Sequence, residues 1–352
     1  MAEVDRLLKM AREQSASDLH FTTGAIPVLR IHGDLVPLNE SIVSSERAEN
    51  TLKEIMSPEQ RSRFEIENEI DFAYTAPGVA RFRVTVFQQL YGIGGVFRLI
   101  PDRILSLAEL NLPRTLEMFT RLEKGLVLIT GATGSGKSTS LASLIDIINR
   151  NYRKHIMTIE DPIEFVHQSR KCLITQRELR NETNSFHEAI RAAGRQDCDI
   201  LLVGELRDFE TVSLTLHAAE SGTMIFATVH TNSAVKTVDR MIDMFPESEQ
   251  NHVRYVLSTT LRGVVSQQLL PLRVKGGRIP ATEVMIGTPA ISNVIREGKT
   301  PQLTSLIQSG RREGMHTMDQ SIIDLFRRNL ILEGEAVHRL SDKGLLSRIA
   351  SD

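Results

Sequence analysis

Apolar and polar positions along this chain change their spacing twice. Near the start, Val4, Leu7, Leu8 and Ala11 fall on one helical face, and Ser15-Ala16-Ser17-Asp18 breaks that helix. Strand-like runs follow at 19–22 and 26–31, and Gly33-Asp34 turns the chain before Leu35-Val36. Residues 45–56 return to helical spacing. Ser57-Pro58-Glu59-Gln60 then supplies an N-cap, an N1 proline and a capping-box glutamine for a second helix. Residues 71–74, 81–89 and 95–100 alternate as strands do. Residues 1–100 therefore read as a small α+β domain with a mostly antiparallel sheet. Residues 101–115 read as a linker, and Leu105, Leu107, Leu110 and Leu112 call for it to be packed rather than free.

From Gly125 onward, strands alternate with helices. Candidate strands are 126–130, 155–159, 199–203, 224–229, 265–270 and 281–286. This alternation predicts, over 116–288, an α/β domain with a parallel or mixed sheet and helices on both faces. Only helical patterns remain after residue 288, at 289–297, 302–309, 317–329 and 334–340, so 289–352 reads as a helical region.

The second domain opens with its strongest chemical signal. Gly131-Ala132-Thr133-Gly134-Ser135-Gly136-Lys137-Ser138 fits the phosphate-loop pattern G-x-x-x-x-G-K-[ST]. Leu126-Val127-Leu128-Ile129-Thr130 before it reads as a buried strand. Leu141, Leu144, Ile145, Ile147 and Ile148 after it recur at helical spacing. Glycines let such a loop turn its N–H groups inward, and the helix that follows points its positive end at the phosphates. Gly131, Thr133, Gly134, Ser135, Gly136, Lys137, Ser138 and Thr139 are the candidate nucleotide-binding residues. Lys137 reaches the outer phosphates, and Ser138 offers a hydroxyl to Mg²⁺.

Three further strands end in polar chemistry. Asp199-Ile200-Leu201-Leu202-Val203-Gly204-Glu205 brings Glu205 to a strand end, either as a Mg²⁺ or water-positioning carboxylate or as a surface residue; Arg207 and Asp208 follow it. Glu160, Asp161 and Glu164 place three carboxylates in five residues, which reads as a metal or water site or as an acidic turn at Asp161-Pro162. His230 ends a fourth strand, in reach of a γ-phosphate or of the Glu205 carboxylate. In the first domain, Arg81, Arg83 and Arg98 form either a solvated basic face or a cluster donated to a nucleotide across a domain or subunit boundary.

Composition narrows the partners. Among 352 residues, hydrophobic types make up 41% and charged types 24%, as in ordinary globular chains. A formal net charge of −2 and aromatics at 5% argue against a nucleic-acid surface, and with it against a DNA-handling ATPase. No apolar run approaches a membrane span, and the first residues lack a signal peptide's apolar stretch, so the expected location is cytoplasmic, without membrane insertion. Two cysteines exclude a four-thiolate zinc site and a disulfide framework; Cys172 and Cys198 read as small buried hydrophobes.

With these blocks in view, the sequence resembles the secretion ATPase superfamily and, within it, the type IV pilus retraction motors. The residues that carry the resemblance are 131–138, 158–164, 204–208 and 228–232. Further matches are Ala16-Ser17-Asp18-Leu19-His20, Arg81-Phe82-Arg83, Gln267-Gln268-Leu269 and 290–297. The resemblance implies a Per-Arnt-Sim-like N-terminal domain joined to a RecA-like P-loop ATPase domain, assembled as a homohexameric ring with ATP between the domains. It implies Glu164 as general base and Glu205 in support of Mg²⁺. His230 would act beside them, with Arg81, Arg83 and Arg98 approaching the phosphates. It also implies an inner-membrane pilus platform protein as partner and a place at the cytoplasmic face of that membrane. Alternatives are an accessory or regulatory paralogue with low turnover, or an extension or type II secretion ATPase. The latter two typically carry a four-cysteine zinc element. Three places depart from the family pattern. Thr223 replaces a histidine. Gly194, Gln196 and Cys198 replace leucine, glutamate and proline. Ser292 replaces an arginine.

Overall fold

The structure is a computed structural model and describes residues 2–31, 33–100, 103–274 and 277–341. Two compact units form: Met1–Arg103 with Pro162–Val166, and Ile104–Asp161 with His167–Asp352. Of the expected linker, Pro101 and Asp102 lie outside the described residues, as does the stretch 342–352 of the expected helical region.

The first unit runs α1 (Glu3–Glu13), β1 (Asp18–Thr22), β2 (Val28–Ile31), β3 (Asp34–Pro37), α2 (Ser45–Glu54), α3 (Pro58–Glu67), β4 (Glu69–Ala76), β5 (Ala80–Gln89) and β6 (Gly92–Ile100). Its sheet is antiparallel throughout, in the order β3-β2-β1-β6-β5-β4. The capping box at Ser57 and Gln60 forms as the spacing requires. Period-two alternation sends Leu19, Phe21, Phe82, Val84 and Phe97 into a core shared with Val4, Leu7, Leu8 and Leu52 of the helices.

The opposite face of that sheet carries the arginines. Arg83 stands opposite Arg98 in the β5–β6 register, and Arg81 lies two residues away on the same face. Like charges in facing positions repel, so carboxylates balance them. Arg98 Nε donates to Asp18 Oδ1 at 2.9 Å, and Arg83 Nη2 donates to Asp71 Oδ2 at 3.3 Å. Thr85 also donates to Asp71.

The second unit begins with a packed stretch. Leu107 and Leu112 are buried with Leu116 and Phe119 of a 3₁₀ helix at Arg114–Arg121, joining the large core. Then come β7 (Gly125–Thr130), α4 (Lys137–Asn151), β8 (His155–Glu160), β9 (Leu173–Glu178), α5 (Phe186–Ala193), β10 (Ile200–Val203), α6 (Phe209–Glu220), β11 (Met224–Val229), α7 (Ala234–Asp243), α8 (Glu247–Thr260), β12 (Leu261–Pro271) and β13 (Arg278–Ile286). The helices α9 (Pro289–Arg296), α10 (Leu303–Ser309), α11 (Met318–Arg327) and α12 (Glu333–Arg339) follow. The sheet order is β13-β12-β7-β11-β10-β8-β9, parallel except for the β12–β13 hairpin. Every residue of β7 and β11 is buried, which accounts for their unbroken apolar runs.

Several elements differ from their sequence-based expectation. β9 is an edge strand of mixed, mostly half-buried residues, so no apolar run announces it. β12 begins four residues early, at Leu261, and its register shifts at Gly263, where a Cβ would fall 2.4 Å from the Phe119 ring. Gly194 lies at the C-cap of α5.

Glu283 on β13 is a buried carboxylate shared by two helix starts. Oε1 accepts from Ala234 N, the first residue of α7, at 2.6 Å. Oε2 accepts from Met318 N, the first of α11, at 3.4 Å. Burial pushes its carboxyl above the usual range, against the pull of both N–H groups. α11 and α12 also pack Ile322, Leu325 and Ala336 on Leu270 and Ile279 of the β12–β13 hairpin.

Candidate active site

The phosphate loop joins the central strand β7 to α4, and three of its glycines take positive φ: 147° at Gly131, 76° at Gly134 and 89° at Gly136. At two of them space is also closed. A Cβ on Gly131 would lie 2.3 Å from the Gln267 carbonyl oxygen, and one on Gly136 would lie 2.8 Å from Gln267 Nε2. Only glycine meets both demands. Lys137 is buried, and its Nζ donates to Gly131 O at 2.9 Å and Ala132 O at 3.0 Å. Ser135 Oγ is buried without a hydrogen-bond partner, which suits a loop built to receive acceptor oxygens. Thr133 and Gly134 are exposed, while Ser138 and Thr139 sit half-buried in the first turn of α4.

Parallel pairing lines up the strand ends beside this loop. Thr130 pairs with Val229, Ala227 with Val203, and Val203 with Ile159. Glu160 therefore ends β8, and Glu205 and His230 follow β10 and β11, on the loop's edge of the sheet, the edge where open α/β sheets bind ligands. Glu205 is held from two sides: Arg207 Nη2 is 2.7 Å from Oε2 and His230 Nε2 is 3.1 Å from Oε1. Burial alone would raise the Glu205 carboxyl. The Arg207 hydrogen bond and charge, with His230 and Lys137, outweigh it and hold the group below its usual range. His230 thus reaches the Glu205 carboxylate.

Asp208 does not join Glu205. It caps α6, accepting from Thr211 N at 2.9 Å, and it meets His187 Nε2 at 3.0 Å. The three carboxylates that follow β8 are not gathered either. Glu160 Oε1 accepts from Thr158 Oγ1 at 2.7 Å, Asp161 faces Arg180 at 3.9 Å, and Glu164 belongs to the segment Pro162–Val166 of the first unit. No group of three or more metal-ligating side chains occurs among the described residues. Arg81, Arg83 and Arg98 lie in the first unit, on the sheet face described above.

Sequence reasoning gave β12 no role in the site. Ser266 is buried with its Oγ 2.9 Å from Thr130 Oγ1, and Gln267 is buried beneath the loop. The available signal was a run of three polar residues, Ser266, Gln267 and Gln268, in the middle of a largely apolar strand.

A parallel sheet with a lysine-capped glycine loop after its central strand defines a phosphate-loop nucleotide-binding protein of RecA-like architecture. Residues 2–293 match the family described as Type II/IV secretion system protein, and the chain belongs to that family. It is 47% identical to the type IV pilus retraction ATPase PilT of Pseudomonas aeruginosa, over 94% of this chain and 95% of that one. It is 45% identical to a twitching motility protein of Neisseria gonorrhoeae, over 97% of this chain and 91% of that one. A solved structure of the pilus retraction motor PilT with bound ADP superposes with a TM-score of 0.91 at 41% identity, covering 99% of this chain and 100% of that one. Among the described residues, no helix is long and apolar enough to cross a membrane.

Proposed function

We propose that this chain is a Mg²⁺-dependent ATPase that powers retraction of type IV pili, working as a homohexameric ring on an inner-membrane platform protein at the cytoplasmic face of that membrane. The observation that carries this reading is its near full-length likeness to retraction motors; the glycine loop and the Glu205–His230 contact support it.

Lys137 would exchange Gly131 O and Ala132 O for the outer phosphates, while the loop amides and Ser135 Oγ take up phosphate oxygens. The Ser138 hydroxyl and the Glu205 carboxylate would hold Mg²⁺, which hard oxygen donors suit. The ion would supply positive charge to the phosphate oxygens. Glu205 is held ionised and below its usual range, which makes it a weak proton acceptor near neutral pH. That favours Glu164 as the base for the attacking water and Glu205 with His230 as the pair that orients it. Arg81, Arg83 and Arg98 would neutralise charge in the transition state, coupling hydrolysis to movement of the first unit.

The test is steady-state ATP hydrolysis against protein concentration, with and without Mg²⁺, beside Lys137→Ala. Specific activity that rises with concentration, needs Mg²⁺ and vanishes in Lys137→Ala is expected. Hydrolysis by Lys137→Ala at the parent rate would sink the proposal.

A further inference from the structure

Gln267 reaches from β12 into the underside of the phosphate loop and is 4% exposed. Its Nε2 donates to Ser135 O at 2.7 Å, and its Oε1 accepts from Ser140 Oγ, one turn into α4, at 2.8 Å. The two bonds fix the orientation of the amide, because Ser135 O can only accept and the Ser140 hydroxyl can donate. The same residue closes the space at Gly131 with its main-chain oxygen and at Gly136 with its side chain. One residue on a neighbouring strand thus sets the height of the loop at three points.

We propose that Gln267 is a positioning residue for nucleotide binding: it holds the Ser135–Gly136 peptide so that the Gly136 N–H faces the phosphates. The physical reason is the planarity of a trans peptide, in which C=O and N–H point opposite ways. Tying Ser135 O down to Gln267 turns the Gly136 N–H to the other side of the loop. An amide already aimed needs no reorganisation when the anion arrives, and preorganisation of this kind appears as affinity. Loop amides of this motif cradle the inner phosphates, which ATP and ADP share. Loss of the strut therefore weakens both nucleotides by the same factor. The inference rests on the proposal that ATP occupies this loop.

The experiment measures dissociation constants for Mg-ATP and Mg-ADP, and the nucleotide-free melting temperature, on the full chain. Gln267→Glu keeps the size of the side chain and still accepts from Ser140. In its ionised form it cannot donate to Ser135 O and places an oxygen against it. Both dissociation constants are expected to rise about tenfold and in parallel. Ser140→Ala frees the other end of the amide, removes the 3.1 Å contact of Ser140 Oγ to Gly136 O, and is expected to raise both about threefold, with a melting temperature within about 3 °C of the parent. Constants within twofold of the parent in both variants overturn the inference. So does a loss confined to ATP, which would make Gln267 a detector of the terminal phosphate. So does a loss seen only in a variant whose melting temperature collapses. Lys137→Ala separates the two levels. If the parent binds neither nucleotide, the reading of the loop fails and takes this inference with it. If the parent binds and Lys137→Ala does not, while the Gln267 and Ser140 variants match the parent, only the role of Gln267 fails.

Discussion

Glu205 Oε1 lies 3.1 Å from His230 Nε2, so the side chains that follow β10 and β11 are tied to each other across the edge of the sheet. A carboxylate only accepts, which assigns the proton of that contact to Nε2. Removing the imidazole leaves Glu205 with Arg207 as its ion-pair partner among the described residues. His230→Ala is expected to lower kcat for ATP by roughly tenfold to a hundredfold, with KM changing less than about threefold. Steady-state kinetics check this; an unchanged kcat refutes a role for the pair. Because the Glu205 carboxyl sits below its usual range, its ionised form stabilises the fold above the unfolded value. That stabilisation is lost as pH falls through the lower folded value. Ionisation of Glu205 should therefore leave no inflection in turnover near neutral pH.

Asp18 and Arg98 make an unequal pair. The carboxylate side chain is 6% exposed and the guanidinium 67%. Truncating the arginine strands a buried charge that keeps only the Ser17 hydroxyl, at 2.8 Å. Arg98→Ala is expected to cost about 1–2 kcal/mol in urea unfolding. The double variant with Asp18→Asn should recover most of it. Additive losses in the double-mutant cycle would show that the pair is not coupled.

Three histidines shape the acid side of the stability curve, His20 among them, lowered chiefly by burial. Burial, opposed by Asp146, pushes His167 down to about 4, and burial likewise lowers His316. Each is kept neutral in the fold, so the unfolded chain protonates first. Stability is then full above about pH 6.5 and falls as pH drops toward the folded values. His167→Leu should flatten that fall by no more than about 3 kcal/mol between pH 6.5 and 4. Denaturant titrations at several pH values read it directly, and an acid branch identical to the parent's contradicts the assignment.

Gly194 caps α5 with φ −62° and ψ −18°, a conformation open to any L residue, and nothing lies within 4 Å of an added Cβ. Gly194→Ala should therefore stabilise the protein by about 0.5–1 kcal/mol, chiefly by reducing the freedom of the unfolded chain. A lower melting temperature in Gly194→Ala would contradict this.

Much of the fold was legible because its strands are buried in different ways. β7 and β11, covered on both faces, read as unbroken apolar runs, while β5 alternates because only one face is covered. β9 escaped because an edge strand needs neither pattern. In the site, Lys137 and Glu205 announced themselves through a loop motif and an acidic strand end. The duty of Asp208 could not be read, because a helix cap and a site carboxylate look alike in one dimension. Gln267 was hidden for a related reason: its partners, Ser135 and Ser140, are 132 and 127 residues away in sequence.

The carboxylate of Glu283 gives the second unit a mechanical property. Its two oxygens are divided between the start of α7, which follows the His230 loop, and the start of α11, far along the chain. A displacement of the first turn of α7 therefore either drags α11 with it or snaps a bond that water cannot readily replace in a buried place. The shared carboxylate thus links the start of α7, next to the His230 loop, to the start of α11.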